Sequence, residues 1–113
     1  MSKKTTASPK VLEELHKVIV KRKGDDPKTS YTAKLFHRGR GKICQKLGEE
    51  AVEVVVAALD ESPDNVASES ADLLYHLLVL WADKGVDPQD VWAELAHRRG
   101  TSGIEEKKSR KTA

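Results

Sequence analysis

Apolar residues along this chain recur at the spacing of helices, and no stretch shows the two-residue alternation of a half-buried strand. Val11, Leu12, Leu15, Val18 and Ile19 share one helical face, with Ser8 placed as N-cap, Pro9 at the first helical position and Gly24 as the stop. A turn-rich stretch, Gly24 to Ser30, leads to a short helix over Tyr31 to Arg38, and Gly39-Arg40-Gly41 predicts a break. A second long helix is expected from about Lys42 to Leu59, burying Ile43, Leu47, Ala51, Val54, Val55, Ala58 and Leu59. Val54-Val55-Val56 would suit a strand in isolation, but the helical period holds on both sides of it.

Ser62-Pro63 restarts a helix as Ser8-Pro9 does, and it continues to about Lys84 with Gly85 as its stop. Leu73, Leu74, Leu77, Leu78, Val79, Leu80 and Trp81 cover nearly its whole circumference, so its second half should be buried on every side. A last helix starts at Asp87-Pro88, where Val86 and Val91 have the spacing of a hydrophobic staple, and stops near Gly100. Residues 101–113 are polar, small and basic and predict a mobile tail. The result is one all-α helical-bundle domain over residues 1–100. Three or four amphipathic helices from so short a chain do not easily cover a helix that is apolar all round, so a homodimer is expected to complete the bundle.

Composition narrows the classes. The chain has 113 residues, 34% of them charged, and a single cysteine, Cys44, which excludes an internal disulfide framework and the cysteine-rich zinc sites and fits a cytoplasmic location. Met1-Ser2-Lys3-Lys4-Thr5-Thr6 lacks the apolar stretch of an export signal. The longest apolar run, Leu73 to Ala82 interrupted by His76, is about half of a bilayer span, which argues against the membrane as a partner. The net charge of +2 conceals a division: residues 1–46 carry 13 Lys/Arg against 4 Asp/Glu, residues 47–83 carry none against 9, and residues 84–113 carry 7 against 5. Nine acids without a local base need countercharge from another segment, a metal ion or solvent.

Two patterned pairs lie in the acidic stretch, Glu50 with Glu53 and Glu69 with Asp72. At about 100° per residue, Lys46, Glu50 and Glu53 fall within roughly 60° of one another, and Ile43, Leu47 and Val54 lie on the same side as Glu50. His76 falls between Glu69 and Asp72 in azimuth. Carboxylates in pairs usually mark a solvated helix face; these point toward the apolar side, where an unpaired charge is costly. A hard divalent cation resolves the conflict, and Mg²⁺ prefers oxygen ligands and bridges carboxylates to phosphates. A ferritin-like di-iron bundle would need duplicated Glu-x-x-His ligands; Glu94 and His97 form one such pair, far from the acidic stretch, and read as surface.

The basic half precedes this cluster directly. Ser30, Thr32, Lys34, Arg38, Arg40, Lys42 and Lys46, with glycines at 39 and 41, suit a polyanion, although Gly39-Arg40-Gly41-Lys42 lacks the spacing of a Walker loop. Cys44 has no catalytic partner and reads as a small buried filler.

Three segments carry a resemblance. Ser30-Tyr31-Thr32-Ala33-Lys34-Leu35-Phe36, then Gly41-Lys42-Ile43-Cys44-Gln45-Lys46-Leu47-Gly48-Glu49-Glu50-Ala51-Val52-Glu53, and the run from Glu69 to Leu80 together resemble the phosphoribosyl-ATP pyrophosphatases of histidine biosynthesis. That family belongs to the α-helical, MazG-like NTP pyrophosphatases, and the likeness extends from about Val11 to Arg99. It implies Mg²⁺-dependent hydrolysis of phosphoribosyl-ATP to phosphoribosyl-AMP and pyrophosphate. It further implies metal ligation by Glu50, Glu53, Glu69 and Asp72, and Glu49 as a supporting ligand or water-activating base beside Glu50. Ser30, Thr32, Lys34, Lys42, Lys46 and His76 would hold substrate and its phosphates. The resemblance is to the single-function form rather than to fusions with a cyclohydrolase. A house-cleaning (d)NTP pyrophosphatase would share the same metal site. A small nucleic-acid-binding dimer, suggested by the basic half, is disfavoured because the acidic helices would repel phosphates without a metal.

Overall fold

The computed structural model describes residues 7–100 and 102–112, so the reading of the first six residues lies outside it. The elements are α1 (Lys10–Lys21), α2 (Tyr31–Arg38), α3 (Arg40–Asp60), α4 (Pro63–Lys84), α5 (Pro88–Arg98) and α6 (Gly103–Thr112), with a 3₁₀ turn at Arg22–Gly24. No strand occurs among the described residues. The all-α reading is met, and α2 and α4 have the limits predicted for them.

Local chemistry sets most boundaries. Ser30 caps α2 by accepting the Ala33 N–H at 3.1 Å, Ser62 caps α4 by accepting from Asn65 N at 3.3 Å, and Asp87 caps α5 by accepting from Gln89 N at 2.9 Å. Gly85 ends α4 in the left-handed region at φ 77°, as a C-terminal glycine should. The break between α2 and α3 is a single residue, Gly39 at φ 96°, rather than the three predicted; Arg40 and Gly41 are already helical.

The long helices α3 and α4 pack along each other, α1 lies against α4, and α2 spans from the 3₁₀ turn to α3. Ile19, Leu35, Ile43, Leu78, Val79 and Ala82 form the core, with Leu12, Leu15, Phe36, Tyr75, Leu80 and Trp81 packed around it. Polar side chains fasten this core at its edges. The Lys23 ammonium donates to the Ala82 carbonyl at 2.9 Å while lying 5.3 Å from the Phe36 ring centroid, joining the end of α4 to α2. Arg40 meets Asp83 at 2.7 Å, which removes it from the pool of free cations. Trp81 and Trp92 meet edge to face at 5.8 Å, and Glu13 accepts from Gln89 Nε2 at 2.8 Å and Trp92 Nε1 at 3.2 Å, so α5 is tied to both α4 and α1.

Several expectations need correction. The buried face of α3 is Ile43 and Ala57, flanked by half-buried Leu47, Glu50, Ala51 and Val54, whereas Val55, Ala58 and Leu59 are exposed. Val52, Val55, Val56 and Leu59 instead form a second apolar stripe on the opposite side, 60%, 57%, 41% and 77% exposed. In one chain, α4 is not covered on every side, since Leu73, Leu77, Leu80 and Trp81 are half-buried and Leu74 is exposed. Val11 and Val18 of α1 are exposed, since α1 packs chiefly on α4 and turns these two residues away from it. Cys44 is exposed rather than a buried filler, because it lies on the side of α3 away from Ile43. Within the segment read as a mobile tail, Gly103–Thr112 form α6, where Glu106 is buried between Arg98, at 3.7 Å, and Arg110, at 2.9 Å.

Candidate metal centre and phosphate cleft

Because α3 and α4 pack along each other, the carboxylates on their facing sides converge. Oxygens of Glu50, Glu69 and Asp72 lie within 4.8 Å of one another. Glu50 and Glu69 are half-buried and Asp72 is exposed, so the cluster sits at the mouth of the α3–α4 groove. The Glu69 carboxyl titrates above the ordinary glutamate value, first through its partial burial and then through repulsion from Asp72, Glu53, Glu50 and Glu61. Glu53 is therefore an electrostatic neighbour of the cluster but outside the set of oxygens that meet. Glu49 is exposed and turned to its own helix: it pairs with Lys46 at 3.7 Å and accepts from Gln45 Nε2 at 3.3 Å.

A cation-lined cleft of about 160 Å³ is bounded by Tyr31, Lys34, Leu35, Arg38, Lys42 and Lys46. Tyr31, Lys34 and Arg38 come from one face of α2, and Lys42 and Lys46 from successive turns of α3, so two helical spacings suffice to build it. Among the described residues no ion pair engages Lys34, Arg38 or Lys42. Three uncompensated cations in one small cleft form a ready receptor for a polyanion.

Tyr31 connects the cleft to the carboxylates. His76, buried beneath it, places Nδ1 at 2.7 Å from the Asp72 carbonyl, which can only accept; Nδ1 therefore carries the proton. With the proton on Nδ1, Nε2 of a neutral imidazole is the acceptor for the Tyr31 hydroxyl at 3.0 Å. Partial burial raises the Tyr31 phenol above its ordinary pKa, with Lys46 opposing and Glu50 adding to the shift, which places the phenol in the fields of both cleft and cluster. Next to it, Thr32 is buried and its hydroxyl pairs with that of Tyr75. The two adjacent contacts latch α2 onto α4 one turn beyond Asp72.

Of the residues read from the sequence, Glu50, Glu69 and Asp72 come together as ligands and Lys34, Lys42 and Lys46 as cleft lining, while Ser30, Thr32 and His76 are engaged in capping and latching. Tyr31 and Tyr75 were not among the candidates. Tyr31 could have been found from its spacing of three and seven residues to Lys34 and Arg38; Tyr75 leaves no local signal.

Fold and site together define a class: an all-helical bundle that sets a metal-competent carboxylate cluster beside a cationic cleft, the equipment of proteins that handle polyphosphates. The family model described as phosphoribosyl-ATP pyrophosphohydrolase matches residues 12–99, and the chain belongs to that family. Among its relatives, the phosphoribosyl-ATP pyrophosphatase of Paramagnetospirillum magneticum is 73% identical over 89% of this chain and 93% of its own. Those of Rhodospirillum rubrum and Azospirillum brasilense are 68% and 61% identical, over 91% and 93% of this chain and 88% and 95% of theirs.

Proposed function

We propose that this chain is an Mg²⁺-dependent enzyme that hydrolyses the α–β phosphoanhydride of 1-(5-phosphoribosyl)-ATP to 1-(5-phosphoribosyl)-AMP and pyrophosphate, the second step of L-histidine biosynthesis. The observation that carries this reading is the carboxylate trio adjoining the cation-lined cleft, in a chain that matches the family over residues 12–99. An all-oxygen donor set within 4.8 Å suits a hard cation, and the repulsion that adds to burial in raising Glu69 is the kind a cation relieves. Glu50, Glu69 and Asp72 would hold the ion, with Glu53 as the reserve ligand, and the bound ion would offset polyphosphate charge and activate water.

The remaining work falls to side chains. Lys42 grips the departing pyrophosphate, Lys46 divides its charge between that task and Glu49, and Lys34 and Arg38 offer their charges to substrate phosphate from α2. Glu49, outside the trio and held by Lys46 and Gln45, is free to accept a proton from the attacking water. Ser30, Thr32 and His76 act through position: they fix α2, and with it Tyr31, against α4. We further propose a homodimer closed over the outward stripe of α3, and a cytoplasmic location; no helix among the described residues is long and apolar enough to cross a membrane.

The test is pyrophosphate release from phosphoribosyl-ATP beside a panel of dNTPs, with Mg²⁺ or with chelator. Phosphoribosyl-ATP should be the preferred substrate and chelator should abolish turnover. Faster turnover of dNTPs would favour the house-cleaning reaction, and metal-independent turnover would remove the cluster from the mechanism.

A further inference from the structure

A second cleft, of about 490 Å³, lies beyond the first and is lined by Asp26, Pro27, Lys28, Lys34, His37 and Arg38. The two share Lys34 and Arg38, which lie one turn apart on α2, so they meet across that turn. Together they bring five Lys and Arg side chains and His37 to one run of surface. Neither Lys28 nor His37 has an ion pair among the described residues. The single acid in the outer lining, Asp26, has Oδ1 occupied by the Lys28 backbone N–H at 2.9 Å. Its carbonyl accepts the N–H groups of Thr29 at 3.1 Å and Ser30 at 3.0 Å, which locks the turn that forms the wall. The outer cleft is thus walled by a hydrogen-bonded turn and positively charged, yet it shares no lining residue with the carboxylate cluster.

A nucleoside triphosphate alone leaves this cleft without a role. Resting on the substrate proposed above, we infer that the outer cleft, through Lys28 and His37 with Lys34 and Arg38, binds the 5′-phosphate of the phosphoribosyl group. It is then the element that distinguishes phosphoribosyl-ATP from ordinary nucleotides. The chemistry of the substrate sets the order of contacts. The triphosphate occupies the carboxylate cluster and Lys42 and Lys46; the exposed ring of Tyr31, pinned by its hydroxyl to His76, offers a face to the purine. The phosphoribosyl group, on the opposite side of the purine from the triphosphate, leaves its dianionic phosphate over Lys28 and His37. Lysine and arginine are suited to that terminus because hydrogen bonds to a charged phosphate are the strong ones.

The test is the double variant Lys28→Ala/His37→Ala in the full chain, both positions being exposed. Two quantities are measured: KM and kcat for phosphoribosyl-ATP, and the Kd of α,β-methylene-ATP, which has the triphosphate without the second phosphate. The inference expects KM to rise about 10- to 100-fold, the effect of losing charge-assisted contacts to one phosphate. It expects kcat and the analogue's Kd to change by less than about twofold, a shift too small to reflect a lost contact. An unchanged KM overturns the inference. Equal weakening of the analogue also overturns it and assigns the outer cleft to the triphosphate. A wild-type protein that does not turn over phosphoribosyl-ATP overturns the functional reading and this inference with it, and the wild-type control separates that result from the others.

Discussion

The outward stripe of α3 permits the most quantitative prediction. Val52, Val55, Val56 and Leu59 recur at i, i+3, i+4 and i+7, opposite the side that packs on α4, and all four are substantially exposed, as is Leu74 of α4. Weighted by exposure, the α3 stripe of each protomer offers the equivalent of roughly two to two and a half fully exposed aliphatic side chains, and burying those of two protomers would contribute on the order of 7–14 kcal/mol. Association itself costs roughly 4–15 kcal/mol, so the stripe can sustain a dimer of about micromolar affinity or better only if most of it is covered. Val55→Glu removes apolar contact near the middle of the stripe and sets an unpaired carboxylate in each half of the interface. The penalty is at least several kcal/mol, enough to raise the dimer Kd about a thousandfold. In one chain the position is exposed, so helix content by circular dichroism should not change. Light scattering behind size exclusion, at about 20 µM, should find wild-type dimer and variant monomer. A monomeric wild type, or a variant that remains dimeric, would refute the reasoning.

Three further outcomes are expected. Glu50→Gln or Asp72→Asn should lower turnover by orders of magnitude with the circular dichroism spectrum intact, and near-normal activity of either at saturating Mg²⁺ would remove the trio from the chemistry. Because Glu69 titrates high in the fold, the folded state holds its proton to higher pH than the unfolded chain does. Metal-free stability should therefore decline as pH rises from the ordinary glutamate value through the raised one; Glu69→Gln should flatten that decline, and thermal melts in chelator across this range, repeated with Mg²⁺, measure both. Tyr31→Phe removes the hydrogen bond to His76 and should cost about 0.5–1.5 kcal/mol in urea unfolding, while an unchanged midpoint would show that the latch does not hold α2.

Much of the helical layout was legible because its signals are local. Ser30, Ser62 and Asp87 cap their helices through side-chain contacts within three residues, and Gly85 needs only its own backbone freedom to end α4. The carboxylate trio was legible for a related reason: Glu69 and Asp72 share a face of one helix, and Glu50 borders the apolar side of another. The orientation of α3 was not. It carries apolar residues on two sides, and periodicity reports that a stripe exists without saying which neighbour it meets; Val55, Ala58 and Leu59 were placed in the core although Ala57 occupies it. Arg40 counted as a free cation until Asp83, 43 residues away, was brought beside it.

By itself, the sequence determined the first five helices, the division between a basic and an acidic segment, and the residue types able to hold a cation and phosphates. Each of these depends on backbone dihedrals and on spacing within a turn or two of one helix. Only the tertiary structure decided which of four carboxylates meet, that Glu53 stays outside their contact, that Thr32 and His76 latch rather than line, and that Tyr31 joins the cleft to the cluster. Those outcomes depend on how α2, α3 and α4 are rotated against one another. That rotation is set by the shapes of Ile19, Leu35, Ile43, Leu78 and Val79 packing together, a property shared by residues distant in sequence and carried by none of them alone.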